Sequence, residues 1–122
     1  MAKDPELFEK ALNWVKSHGY DKVRANAEGY DAPSGFRRDV EDGEIMAPDI
    51  TGVKSRRKSY FEIALKDGDL DHSVSKWKLI SAVASAQNGK LFLLAPHGHK
   101  AFATRIVERH DIDAEVIALP NK

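Results

Sequence analysis

Five consecutive apolar residues, at positions 91–95 (LFLLA), constrain the fold of this chain more than any other segment. A strand with one wet face alternates polar and apolar residues, so an unbroken apolar run predicts a strand covered on both faces. Helical patterns flank this run over residues 73–87 and 100–110, and a second apolar segment follows at 114–119. This βαβ pattern predicts a sheet with helices packed on its faces.

The N-terminal half adds a helix and three strands to this unit. The helix begins at Pro5, is capped by Asp4 and ends at the pair His18-Gly19. Strands are predicted over residues 23–27, 44–53 and 59–66, and the last is the clearest because apolar and polar residues alternate along it. The order α, β, β, β, α, β, α, β predicts an α/β fold with a mixed central sheet, formed as a single domain by residues 1–122.

Composition excludes several classes of protein. The chain has no cysteine, which excludes disulfides and thiolate metal sites. Its 19 Lys and Arg balance 19 Asp and Glu, unlike the strongly basic composition of a non-specific nucleic-acid coat protein. The longest apolar run is far short of the ~20 residues that span a bilayer, and the first residues lack the apolar core of a secretion signal. We therefore expect a cytoplasmic protein with no membrane partner.

Two acidic residues lie in neighbouring predicted strands. Asp49 follows Pro48 in the second strand, and Glu62 lies in the third. Consecutive strands usually lie side by side, so acids on one face meet at a single point. Two carboxylates buried together require a cation or a change of protonation, and oxygen ligands suit Mg²⁺. The sequence thus favours a Mg (or Mn) site, and the alternative is that Glu62 is an ordinary outward-facing strand residue.

The pair Pro48-Asp49, the later Glu62 and the element order together resemble the PD-(D/E)xK nucleases, a superfamily with the restriction-endonuclease-like fold. The resemblance spans about residues 5–119. It implies an αβββαβ core, a C-terminal αβ extension and Mg-dependent hydrolysis of DNA phosphodiester bonds. It also implies that Asp49 and Glu62 bind the metal together with the backbone carbonyl of Ile63. Analogy with small resolvases further implies a homodimer on duplex DNA.

The catalytic lysine of that family lies two positions after the glutamate, where this chain has Ala64. Two other lysines are candidates for its role. Lys66 lies four residues after Glu62 on the same predicted strand face, about 13 Å away. Lys76 falls on the inward face of the second helix, and this chain resembles relatives in which the lysine has moved to that helix. The predicted buried stripe of the helix consists of Leu79, Ile80 and Val83.

Charged residues are clustered despite the zero net charge. A predicted basic turn spans residues 52–58, and its Arg56, Arg57 and Lys58 are predicted to contact DNA backbone phosphates. Acidic runs lie at 39–44 and 67–71. The charge balance and Ala64 favour an alternative function, a catalytically inactive nucleic-acid- or protein-binding module on the same fold. A further alternative is a small α/β protein that serves a protein partner and in which the acids are incidental.

Overall fold

The computed structural model describes residues 4–37, 45–66 and 69–120 of the chain. The helices of these residues are α1 (Pro5–Ser17), α2 (Leu70–Ala86) and α3 (Lys100–Arg109). The strands are β1 (Asp21–Ala25), β2 (Phe36–Arg37), β3 (Ile45–Met46), β4 (Ile50–Lys54), β5 (Arg57–Ile63), β6 (Leu91–Ala95) and β7 (Ala114–Ala118). Within these residues, no helix combines the length and apolar character that crossing a bilayer demands.

Five of the strands form one mixed sheet in the order β1-β4-β5-β6-β7. Strands β1, β4 and β5 pair antiparallel, whereas β5, β6 and β7 pair parallel. The short strands β2 and β3 pair only with each other. The prediction of an α/β fold with a mixed sheet is therefore confirmed. The helices and the strands of the main sheet follow one another along the chain in the predicted order.

Helices cover both faces of the sheet. Helix α1 packs its apolar stripe on one face, over a core that includes Phe61 and Ile63 of β5. Helices α2 and α3 pack on the other face, over Tyr60 of the same strand. Every residue of β6 is buried, as its unbroken apolar run predicted. Successive residues of β5 are thus buried on alternate faces of the sheet, so a polar residue near the end of this strand lies in an apolar environment.

Several predicted boundaries are wrong. The segment 44–53 is not one strand, because β3 pairs away from the main sheet and β4 starts only at Ile50. Helix α2 starts before residue 73, since the Asp69 side chain caps it by accepting the N–H of His72. The apolar pattern missed this first turn because Leu70 is exposed. Glu44, the acidic run at 39–44 and residues 67–68 of the second run lie outside the described residues.

The basic turn is shorter than predicted. Only Ser55 and Arg56 form it, and Arg57 already belongs to β5 and pairs with Lys54. Both turn residues have left-handed backbone, with φ of 54° and 64°. A two-residue turn of this kind matches the twist of the flanking strands and favours Asn-Gly, because Gly adopts positive φ without strain.

We predict that the double variant S55N/R56G raises the free energy of unfolding by about 1 kcal/mol, since it removes strain from the turn. Urea unfolding of the variant and the unmodified protein measures this difference. An unchanged or lower stability would show that the turn is not strained.

Tyr60 joins the sheet to the end of α2. Its ring is 1% exposed, and its hydroxyl donates a hydrogen bond of 2.9 Å to Gln87 Oε1. Burial raises the pKa of the Tyr60 phenol above its ordinary value of 10.0. The folded protein therefore keeps this proton at pH values where the unfolded chain loses it. The resulting stabilisation is complete below pH 10 and is lost as the pH rises through the folded-state pKa.

We predict that Y60F weakens the alkaline loss of stability. The expected result is a smaller decrease in urea midpoint between about pH 8 and about pH 11 than in the unmodified protein. Comparing the two pH values within each protein cancels the effect of deleting the hydroxyl at neutral pH. Equal decreases in the two proteins would contradict a contribution from Tyr60.

Candidate metal and catalytic site

Asp49 and Glu62 meet at one end of the antiparallel pair β4–β5. The sequence predicted Asp49 inside a strand, but it lies in the bend immediately before β4. The register pairs Ile50 with Phe61, which sets Asp49 beside Glu62. The strand cannot extend further back in the ordinary way, because Pro48 has no N–H to donate and the Asp49 N–H is bound by a side chain.

Each carboxylate accepts a backbone N–H from the neighbouring segment. The Asp49 N–H donates to Glu62 Oε2 at 2.6 Å, and the Ile63 N–H donates to Asp49 Oδ2 at 2.9 Å. Glu62 is 1% exposed and Asp49 is 6% exposed. Hydrogen bonds to a charged acceptor are stronger than neutral ones, so this reciprocal arrangement fixes the orientation of both acids.

Lys76 reaches both acids from α2. Its Nζ lies 3.1 Å from Glu62 Oε1 and 3.9 Å from Asp49 Oδ1, and its side chain is 16% exposed. The buried stripe of α2 differs from the prediction, since Leu79 and Val83 are only half-buried and the helix turns Trp77 into the core. The buried residues of α2 are Val74, Trp77, Ile80, Ser81 and Ala84. Lys76 lies at the border of this stripe, directly over the acids.

The prediction that Lys66 lies on the strand face of Glu62 is wrong, because β5 ends at Ile63. Its side chain is exposed, and its backbone N–H donates to His99 Nδ1 at 3.0 Å. Of the two candidate lysines, Lys76 is the one whose ammonium contacts both acids. Ala64, at the usual lysine position, is fully buried in the core under α2 and α3.

The three basic residues predicted to bind nucleic acid are not brought to the acids. Arg56 is in the turn at the other end of the hairpin, and Arg57 lies five residues before Glu62, about 17 Å along the strand. Alternation along β5 places Lys58 on the face that carries Glu62 and places Arg57 on the opposite face. The Lys58 Nζ lies over the Tyr60 ring, 5.5 Å from its centroid.

The donor set fits a hard divalent cation. The site places two carboxyl groups around one lysine, and a cation with oxygen ligands would supply the further positive charge that balances two carboxylates. The candidate ligands are Asp49, Glu62 and the backbone carbonyl of Ile63. Within residues 4–37, 45–66 and 69–120, no group of three or more His, Cys, Asp or Glu side chains is arranged to hold a metal. A metal at this site would therefore depend on two carboxylates.

A cleft of about 420 Å³ opens between α1 and the loop after β1, and its lining includes none of Asp49, Glu62 and Lys76. Asn26 lines this cleft, and its N–H donates to the Asp49 carbonyl at 2.9 Å. Glu9 and Glu28 also line it, and its lining includes no Lys or Arg. The acidic lining makes this cleft unsuitable for backbone phosphates.

Sequence reasoning missed how the acids are held. The contributions of the Asp49 and Ile63 N–H groups depend on strand register, which no residue pattern encodes. A signal was present for Lys76, because a lysine near an apolar stripe requires a partner.

No protein-family model, curated protein or solved structure matches this chain. The interpretation of the site therefore rests on its residues and their geometry.

We predict that K76M lowers the free energy of unfolding by about 3 kcal/mol, because it leaves two buried carboxylates without their ammonium. Urea unfolding measures the loss, with K78M as the matched control, since Lys78 is an exposed lysine on the same helix. The control is expected to stay within about 0.5 kcal/mol of the unmodified protein. Adding E62Q to K76M should restore part of the stability, because it removes one of the two charges. Equal effects of K76M and K78M would contradict a counter-ion role.

Proposed function

We propose that this protein is a Mg-dependent nuclease that hydrolyses DNA phosphodiester bonds at Asp49, Glu62 and Lys76. One observation carries the proposal: two carboxylates from adjacent strands converge at a buried point, and a lysine from the covering helix contacts both. Burying such a group is costly, so a chain that only needed a stable core would place apolar side chains there. A site with this charge and these ligand types suits phosphoryl chemistry.

The resemblance to the PD-(D/E)xK nucleases supports the same function. The order α1, β1, β4, β5, α2, β6 follows the αβββαβ core that the resemblance implies, and α3 with β7 follows its extension. Asp49 immediately precedes β4 and Glu62 lies near the end of β5, an arrangement that supports the proposal. By analogy with small resolvases we propose a homodimer on duplex DNA. We also propose that the protein acts in the cytoplasm.

Each residue has a distinct part in the proposed reaction. Asp49, Glu62 and the Ile63 carbonyl would hold the ion, and the backbone hydrogen bonds to the two carboxylates keep their oxygens oriented. When bound, Mg²⁺ would supply Lewis-acid stabilisation of charge on the phosphate and favour ionisation of the attacking water. Lys76 donates hydrogen bonds to the water or the phosphate from its position beside Glu62 Oε1. The water oxygen forms a bond to phosphorus and one P–O bond to the sugar breaks. The water gives up a proton to solvent, and the leaving sugar oxygen takes one from solvent to become a hydroxyl.

Contacts to the nucleic-acid backbone come from the hairpin. Arg56, Arg57 and Lys58 are the proposed phosphate contacts, which position a strand without reading its bases. Lys58 lies on the face that carries Glu62, about 13 Å along β5 from it. A strand that reaches from the acids to Lys58 would therefore span several nucleotides.

A second candidate function is a nucleic-acid- or protein-binding module without catalysis. The observation that favours it is that every carboxylate oxygen of the two acids already has a partner. One oxygen of each acid accepts a backbone N–H, and the other faces the Lys76 ammonium. Ala64 at the usual lysine position favours it as well. In such a module, Lys76 would be the permanent counter-ion, and the triad would serve to hold α2 on the sheet.

We predict that the protein cleaves labelled single-stranded, duplex or branched DNA in Mg²⁺ or Mn²⁺, and that E62Q lowers the rate by at least about 100-fold. Glu62 is one of the two carboxylates that would hold the ion, and the amide of Gln keeps an oxygen to accept the Asp49 N–H. E108Q is the matched control, because Glu108 is an exposed glutamate of α3, and it should cleave normally.

The same assay separates the candidate lysines. K76M is expected to lose cleavage, whereas K66M is expected to keep it, because Lys66 lies exposed beyond the end of β5. Binding of DNA without cleavage in either metal would favour the non-catalytic module. Cleavage that survives E62Q would exclude this site as the catalytic one.

A further inference from the structure

A second charged site lies at the opposite end of the sheet from the acids. A cleft of about 280 Å³ opens there, beyond the end of α1 and beside the β4–β5 turn. Three cationic residues line it: Lys54, Arg57 and Lys90. The lining also includes the hydroxyls of Ser55 and Ser59, but no carboxylate. A concave surface with several cations and hydroxyl donors is the kind of site that accepts an anion.

Two of these cations lie over aromatic rings. The Lys54 Nζ lies 5.3 Å from the centroid of the Tyr20 ring, and the Lys90 Nζ lies 5.9 Å from that of Phe92. A carboxylate balances the positive charge of a lysine and accepts one of its N–H groups. A ring beneath a lysine leaves the charge unbalanced and the N–H groups available to an anion. Among the described residues, no carboxylate oxygen lies within 4 Å of a charged nitrogen of Lys54 or Arg57. Lys90 has one acidic neighbour, Glu115 at 3.7 Å, and both side chains are more than half exposed.

The backbone around the cleft is closely fitted. A side chain at position 89 would place its Cβ 2.0 Å from the Lys58 carbonyl oxygen, so only Gly89 allows Lys90 to come this close to the start of β5. Gly52 similarly allows Tyr20 to lie against β4, since a Cβ there would be 3.1 Å from that of Tyr20. The cations therefore come from three segments that the fold holds in fixed positions.

We propose that this cleft binds a phosphate group through Lys54, Arg57 and Lys90. The guanidinium supplies a planar pair of donors to two phosphate oxygens, and the two ammonium groups supply point charges. Arg57 lies on the face of β5 that also carries Phe61, whereas Glu62 lies on the other face. The phosphate site is therefore distinct from the acids in face and position, and Arg57 is the one residue that it shares with the proposed nucleic-acid contacts of the nuclease.

The phosphate has two sources, a small phosphate compound or the backbone of a nucleic acid. Calorimetric titration with pyrophosphate tests the first, and fluorescence anisotropy with a labelled single-stranded oligonucleotide tests the second. Saturable binding in either titration is expected, and K54M/R57M should weaken it at least 10-fold. For the oligonucleotide, the same variant should reduce the slope of log affinity against log salt by about two.

Two further variants make the test specific. Like K54M/R57M, the variant K78M/R105M removes two positive charges, but from exposed positions on α2 and α3. It should leave binding within about twofold of the unmodified protein. E115Q removes the one acidic neighbour of Lys90 and should tighten binding about twofold, without touching the cations. Circular dichroism confirms that each variant is folded.

The proposal is overturned if neither probe binds, or if K78M/R105M weakens binding as much as K54M/R57M. It is also overturned if E115Q weakens binding. E62Q distinguishes this proposal from the nuclease, because it should abolish cleavage and leave pyrophosphate binding unchanged.

Discussion

The buried contact among Asp49, Glu62 and Lys76 is the constraint on which the rest of this structure depends. Two carboxylates that are almost inaccessible to water repel each other, and their orientation requires both the β4–β5 register and the position of α2. Removing Lys76 leaves two buried carboxylates without a counter-ion, which costs more than the contact itself contributes. The triad thus fixes three elements relative to one another, whatever chemistry it performs.

The mixed sheet explains how one small chain separates two kinds of charged surface. At one end of β5 the acids lie under α2, and at the other end the cations lie beyond α1 on the opposite face. Because side chains alternate along a strand, neighbouring residues of β5 reach different faces of the molecule. The chain therefore has both an acidic centre and a basic cleft, although its net charge is zero.

Much of the fold was predictable from local patterns. The apolar run of β6, the alternation along β5 and the capped start of α1 each determined their element, because period and capping are properties of the sequence itself. The errors arose where tertiary contacts override the pattern. Asp49 leaves the strand because its N–H binds Glu62, and Arg57 enters a strand because the turn needs only two residues.

The sequence by itself determined the class of fold and the residue types of the candidate site: two acids on neighbouring strands and a lysine on the helix that follows. The tertiary structure alone decided which lysine reaches the acids, because the phase of α2 and the end of β5 depend on packing. It also decided that Lys54, Arg57 and Lys90 share one cleft, since Lys90 lies more than thirty positions after the other two and only strand order brings it beside them.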